Sequence, residues 1–162
     1  MKVYFASDHA GFELKNALVE FVRALDHEVE DCGAYSFNKD DDYPALIALA
    51  ARKLAADVAS GKESRAIVLG GSGQGEAIVA NRFRGVRCAL YYGEAGEQED
   101  VSGKKLDMIG STREHNDANA LSLGARFLSE KEASQAIEKW LSLPFSGDDR
   151  HTRRIRLIEE VA

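Results

Sequence analysis

Short apolar runs alternate with stretches of helical periodicity along most of this chain, and that order of elements admits few folds. Residues 2–6, 28–32, 65–69, 86–91 and 120–124 read as five strands. Between the first two, residues 11–25 place Leu14, Ala17, Leu18, Phe21, Val22 and Leu25 on one helical stripe. Residues 43–60 carry Leu46, Ile47, Leu49, Ala50 and Leu54 at the same spacing, with Pro44 at the helix start. A further helix follows the third strand to about Phe83, residues 130–143 are amphipathic, and residues 154–161 form a short terminal helix. Near-continuous apolar strands must be covered on both faces, which predicts parallel pairing with helices on either side. The expected architecture is a three-layer αβα sandwich around a five-stranded parallel sheet. It forms one domain over residues 1–162, with no internal repeat and no linker.

Sheets of this kind bind ligands at the carboxyl ends of their strands. Ser7-Asp8-His9 follows the first strand, and Gly70-Gly71-Ser72-Gly73-Gln74-Gly75-Glu76 follows the third. Glu114-His115-Asn116-Asp117 lies just before the fifth. The glycines of the second segment free main-chain N–H groups to converge on one point, and a helix beginning there adds partial positive charge. The loop can therefore cradle an anion. Glu76 stands where a nucleotide-binding P-loop carries lysine, and Ala77 where it carries a hydroxyl, so that motif fails. The dinucleotide fingerprint fails too, because its third glycine would fall at Glu76 or Ile78. Anion-stabilising donors beside a carboxylate suit a different chemistry. The carboxylate removes a proton next to a carbonyl, and the cradle holds the oxyanion that results. A tight turn without a ligand is the plainer alternative.

The remaining chemical residues each have two readings. Asp8 and His9 could contact a substrate hydroxyl or phosphate, or Asp8 could simply cap the following helix. His115 offers an imidazole suited to proton transfer near neutral pH, or a solvated loop residue. Residues 150–156 carry Arg150, His151, Arg153, Arg154 and Arg156, the strongest basic cluster in the chain. Arg150 and Arg154 share a helical face and could grip a phosphate. The net charge of −6 and the lack of interleaved aromatics exclude a general nucleic-acid binder. Asp40-Asp41-Asp42 reads as a solvated turn, since its spacing is not that of a calcium loop. Cys32 and Cys88 are too few for a disulfide framework, and Cys88 reads as core. With no signal or spanning segment apparent, a cytoplasmic protein that binds neither nucleic acid nor membrane is expected.

Taken together, these segments resemble the sugar-phosphate isomerase family that contains ribose-5-phosphate isomerase type B and the galactose-6-phosphate isomerase subunits. The resemblance rests on Ser7-Asp8-His9-Ala10-Gly11-Phe12 with Leu14-Lys15, Asp42-Tyr43-Pro44, Gly71–Gly75 with Ala80-Asn81, His115-Asn116-Asp117-Ala118-Asn119, and Arg150-His151 with Arg153-Arg154. It implies a Rossmann-like fold and interconversion of ribose 5-phosphate and ribulose 5-phosphate through an enediolate, with no metal or organic cofactor. A tetrose 4-phosphate or hexose 6-phosphate substrate, or a non-catalytic phosphosugar-binding module, are the alternatives. Many members use a cysteine base at the position held here by Gly70. This chain resembles the subgroup in which a glutamate, here Glu76, takes that role. The resemblance further implies that Ser72 and the N–H groups of Gly71, Gly73 and Gly75 steady the enediolate. His115 would open the sugar ring, with Asp8 and Asn116 on sugar oxygens. His9, Arg126, Arg150 and Arg154 would take the phosphate. It implies a homodimer or a dimer of dimers, with the C-terminal helix packed on a partner subunit. Residues 93–112 run about a dozen residues longer than the family pattern and read as a surface elaboration, or else a lid or subunit contact.

Overall fold

A computed structural model of the chain describes residues 1–96, 98–99, 103 and 105–161. Its elements are β1 (Lys2–Ser7), α1 (Phe12–Ala24), β2 (Glu28–Asp31), α2 (Tyr43–Ala59), β3 (Ser64–Gly70), α3 (Gln74–Ala80), β4 (Cys88–Tyr91), β5 (Gln98–Glu99), β6 (Lys105–Leu106), α4 (Met108–Glu114), β7 (Ala120–Gly124), α5 (Glu130–Ser142) and α6 (Asp149–Glu160). Five strands form one parallel sheet in the order β2-β1-β3-β7-β4. The expected three-layer architecture is thus observed.

The strands read as continuous apolar runs because alternate residues feed two different cores. Val3, Phe5, Ile67, Leu69, Leu121 and Leu123 pack with Leu18 and Val22 of α1 and Ile137 and Trp140 of α5. Tyr4, Ala6, Ala66, Val68 and Ala120 face Ile47, Ala50, Ala51 and Leu54 of α2 and Ala80 of α3. The order of strands reverses at β1: its chain neighbour β2 lies on one side and β3 on the other. The carboxyl ends of β1 and β3 therefore flank a topological switch point, where the connecting loops diverge and leave a crevice. Lys2 to Ser7 pair in register with Ser64 to Leu69, so Asp8 and Gly70 emerge side by side.

Three details differ from the sequence reading. Residues 108–114 form α4, which has only seven residues and too short a period to announce itself. Its start is nonetheless marked, since the Asp107 carboxylate accepts from the Gly110 N–H at 2.5 Å and also pairs with Lys139. The terminal helix begins at Asp149 and not at residue 154, and none of its residues is buried, so no apolar stripe marks its first turn. Residues 93–112 include a two-residue antiparallel pair, β5 with β6, in which Glu99 faces Lys105. Glu97, Asp100 and Lys104, whose charges belong to that segment, lie outside the described residues.

Candidate active site

The loop between β3 and α3 closes over the end of the sheet. The carbonyl of Gly70 accepts from the Ala125 N–H at 2.9 Å, and that of Gly71 from the Arg126 N–H at 3.0 Å. The loop then reverses at Gly73, with φ +76°, and the Ser122 hydroxyl donates to the Gly73 carbonyl at 2.6 Å. Only glycine suits that position, because a Cβ would also lie 2.9 Å from the Leu123 main chain. Ser72 accepts the Gln74 N–H on its Oγ, which fixes the hydroxyl at the mouth of the loop.

Glu76 lies in the first turn of α3 and is only 4 % exposed. Its carboxylate folds back onto the face of Gly70: a Cβ built there would fall 2.0 Å from Oε1 and 2.1 Å from Cδ. Burial raises its pKa above the ordinary carboxylate value, the nearby charge of Asp8 adds to that, and its own main-chain N–H pulls it back in part. A buried, basic carboxylate beside main-chain donors has the character of a general base.

Asp8 is buried beside it, with Oδ1 accepting the N–H groups of Ala10 at 2.9 Å and Gly11 at 3.2 Å. It thus ties down the entry to α1, although Gly11 itself occupies the capping position. His9 Nδ1 lies 2.7 Å from Asp41 Oδ1. The Arg126 guanidinium lies against Gly71, 3.3–3.4 Å from where a Cβ would stand. Tyr43, at the start of α2, lays its ring over Gly75, where a Cβ would come within 2.6 Å of the ring. Asp8, His9, Gly71, Ser72, Gly73, Gly75, Glu76 and Arg126 thus lie together at the carboxyl end of the sheet. Tyr43 and Asp41, which the sequence reading did not single out, border the same crevice, although the Asp42-Tyr43-Pro44 run marked their segment.

His115, Asn116, Arg150 and Arg154 lie elsewhere. The first two follow α4 and precede β7, so they sit at the amino end of the sheet. The five residues of β7 span about 13 Å between that end and Gly124. Arg87 and Arg113 both bind the Asp117 carboxylate and hold this turn beneath the sheet. The His115 ring stacks on His151 of α6 at 4.5 Å between centroids and 10° between planes. Within one chain, the expected site is therefore split into two halves on opposite ends of the sheet. Helix α6 leaves Leu157 and Ile158 about half exposed, and Ile158 borders a groove of about 570 Å³ that runs along Asn81–Ala89.

Among the described residues, Asp8, His9 and Asp41 bring one donor atom each within 4.8 Å of one another, close enough for a cation. His9 Nδ1 and Asp41 Oδ1, however, already bind each other. The two thiols offer no nucleophile. Burial pushes Cys32 up to about 11 and Cys88 up to about 12, and Cys88 opens β4 at the amino end, half-buried and not fully in the core.

The raised pKa of Glu76 sets an expected pH dependence for any reaction that uses it as the base. A base acts only when deprotonated, so kcat/KM should rise with pH through the raised pKa of the free enzyme. The acid limb of the profile should lie above the ordinary glutamate value of about 4.3. A limb at or below that value would contradict the buried state of the carboxyl.

Comparison with known proteins gives a consistent result. The Ribose/Galactose Isomerase family profile matches residues 3–158. Ribose-5-phosphate isomerase B of Mycolicibacterium paratuberculosis is 40 % identical over 160 residues, which cover 99 % of this chain and 91 % of that protein. The crystal structure of ribose-5-phosphate isomerase B from Mycoplasma genitalium with bound ribulose 5-phosphate superposes with a TM-score of 0.83 at 29 % identity, covering 99 % of this chain and 95 % of the other. The Thermotoga maritima enzyme gives 0.79 at 38 % identity, covering 98 % and 97 %.

Proposed function

The chain belongs to the ribose/galactose isomerase family, and from that premise we propose that it interconverts ribose 5-phosphate and ribulose 5-phosphate with Glu76 as the base. The observation that carries this reading is the Glu76 carboxylate, buried and lying on Gly70 at the switch point of the sheet. In the aldose, Glu76 removes the proton from C2 and delivers it to C1, while the O2 hydroxyl proton passes to O1. The enediolate formed in between carries negative charge on its oxygens. The Ser72 hydroxyl and the N–H groups around Gly71–Gly75 face that charge, and stabilising it is the larger part of the catalytic task. Asp8 holds a sugar oxygen. His9 and Arg126 bind the phosphate, for which charge-assisted hydrogen bonds are the strong contacts.

His115, Asn116, Arg150 and Arg154 serve a second copy. The half-exposed apolar residues of α6 support its packing on a partner subunit, which would carry these four groups to the partner's Glu76. Mixing Glu76→Gln and His115→Ala chains tests this. Each variant alone should be nearly inactive, whereas random dimers of the two should recover about a quarter of wild-type activity, because one composite site in half of them is intact. No recovery would place all the catalytic groups within one chain.

The substrate is tested by turnover of ribose 5-phosphate beside a tetrose 4-phosphate and a hexose 6-phosphate, with and without a chelator. Preference for the pentose, unaffected by the chelator, is expected. Preference for another sugar would assign the same chemistry to a different substrate, and binding without turnover would make the chain a phosphosugar-binding module. Among the described residues no helix is long and apolar enough to cross a membrane.

A further inference from the structure

Asp41 belongs to an acidic turn whose sequence promises nothing more than solvation, yet its side chain is only 12 % exposed and reaches across the crevice to His9. One oxygen, Oδ1, receives both the His9 main-chain N–H at 3.1 Å and the ring Nδ1 at 2.7 Å. The other, Oδ2, is buried with no hydrogen-bond partner. Leaving a buried carboxylate oxygen unpartnered is costly, so this arrangement is not what stability alone would select. The turn is itself anchored. Lys15, fully buried, donates to the Asp31 carboxylate at 2.5 Å and to the Ala34 carbonyl at 3.0 Å, which fixes the start of the 33–42 loop. Phe37 of that loop meets the His9 ring edge-on, 6.4 Å between centroids, and also packs on Phe12. The ring is thus held by Asp41 through a hydrogen bond and by Phe37 through its edge.

We infer that Asp41 is a positioning residue, clamping His9 through main chain and ring so that Nε2 is the nitrogen offered to the phosphate of the substrate. This rests on the reading that His9 binds phosphate. The charged groups facing the imidazole are Asp41, Asp8, whose Oδ2 lies 3.9 Å from Nδ1, and Arg126. The hydrogen bond to Asp41 is the largest influence and raises the His9 pKa, Asp8 adds to it, and Arg126 opposes it. A ring kept protonated offers a phosphate dianion a charged donor, and one tied at Nδ1 can offer only Nε2.

Asp41→Asn removes the charge and keeps the shape. KM for ribose 5-phosphate should rise at pH 8, by at most the roughly tenfold that the loss of one charged contact costs, while kcat stays within about threefold. The rise should shrink toward pH 6, because an imidazole released toward its ordinary pKa of about 6.5 regains its proton there. Nitrogen-15 spectra of the His9 ring read the clamp without turnover. The wild-type ring should keep both its protons to a higher pH than the ring of the Asp41→Asn chain does. An unchanged KM at both pH values, or identical ring spectra, would overturn the proposal. A His9→Gln chain with unchanged KM would instead defeat the phosphate reading, and the spectra would then decide whether Asp41 holds the ring.

Discussion

Glu76→Gln is expected to lower kcat by about 10²–10⁴, the range that one positioned general base contributes, and to leave KM within a few-fold. Glutamine fills the same space on Gly70 but accepts no proton, so the loss should fall on the chemical step. The same substitution carries a signature in stability. The folded chain holds the Glu76 proton more tightly than the unfolded chain does, because burial raises its pKa. That favourable contribution is complete below the unfolded value of about 4.3 and is lost as pH rises through the folded value. Glutamine has no such dependence. The Tm of the variant should therefore gain on wild type as pH rises through that window. A variant that loses activity but shows no relative gain would mean that the carboxyl is not buried in solution.

The second large effect is expected at Gly70. An alanine Cβ there would stand 2.0 Å from Glu76 Oε1 and 2.5 Å from Oε2, distances that no packing tolerates. The obstructing atoms are the far end of a side chain, so the carboxylate moves and the strand need not. Gly70→Ala should keep a Tm within a few degrees of wild type and lose at least about 10² in kcat, the scale on which misplacing a reacting group acts. Gly96→Ala is the control, since a Cβ there meets nothing within 4 Å, and it should be silent. Full activity in Gly70→Ala would show that the contact between Gly70 and Glu76 is irrelevant to the reaction. Because residue 70 has no side chain, residue 76 can place its carboxylate there.

Much of the fold was legible because its elements are long and apolar. The strands around Phe5, Val68 and Leu121 alternate between two cores, and both cores are greasy enough that the runs read as unbroken. Helices α1, α2 and α5 each bury a full stripe and were legible for the same reason. Helix α4 has one turn of contact and a cap at Asp107, which pattern reading passes over. The first turn of α6 buries nothing, so no apolar stripe carries the terminal helix back to Asp149. At the crevice, glycine spacing and strand order located Asp8, Ser72 and Glu76, since the pairing of β1 with β3 sets their loops side by side. Tyr43 and Asp41 depend on how the 33–42 loop folds back, a long-range contact that no local period encodes. His115 and Arg154 were expected beside Glu76 on resemblance, yet β7 separates the two groups in one chain. The proposed packing of α6 on a second copy would reunite them.

The central claim is that the Glu76 carboxylate moves a proton on carbon, and isotope exchange in heavy water reads that step by itself. Proton NMR of the sugar phosphates should show wild-type protein introducing deuterium at the carbons that exchange hydrogen, and the Glu76→Gln chain losing that exchange in proportion to its turnover. Deuterium entering at the wild-type rate with glutamine at residue 76 would contradict the account.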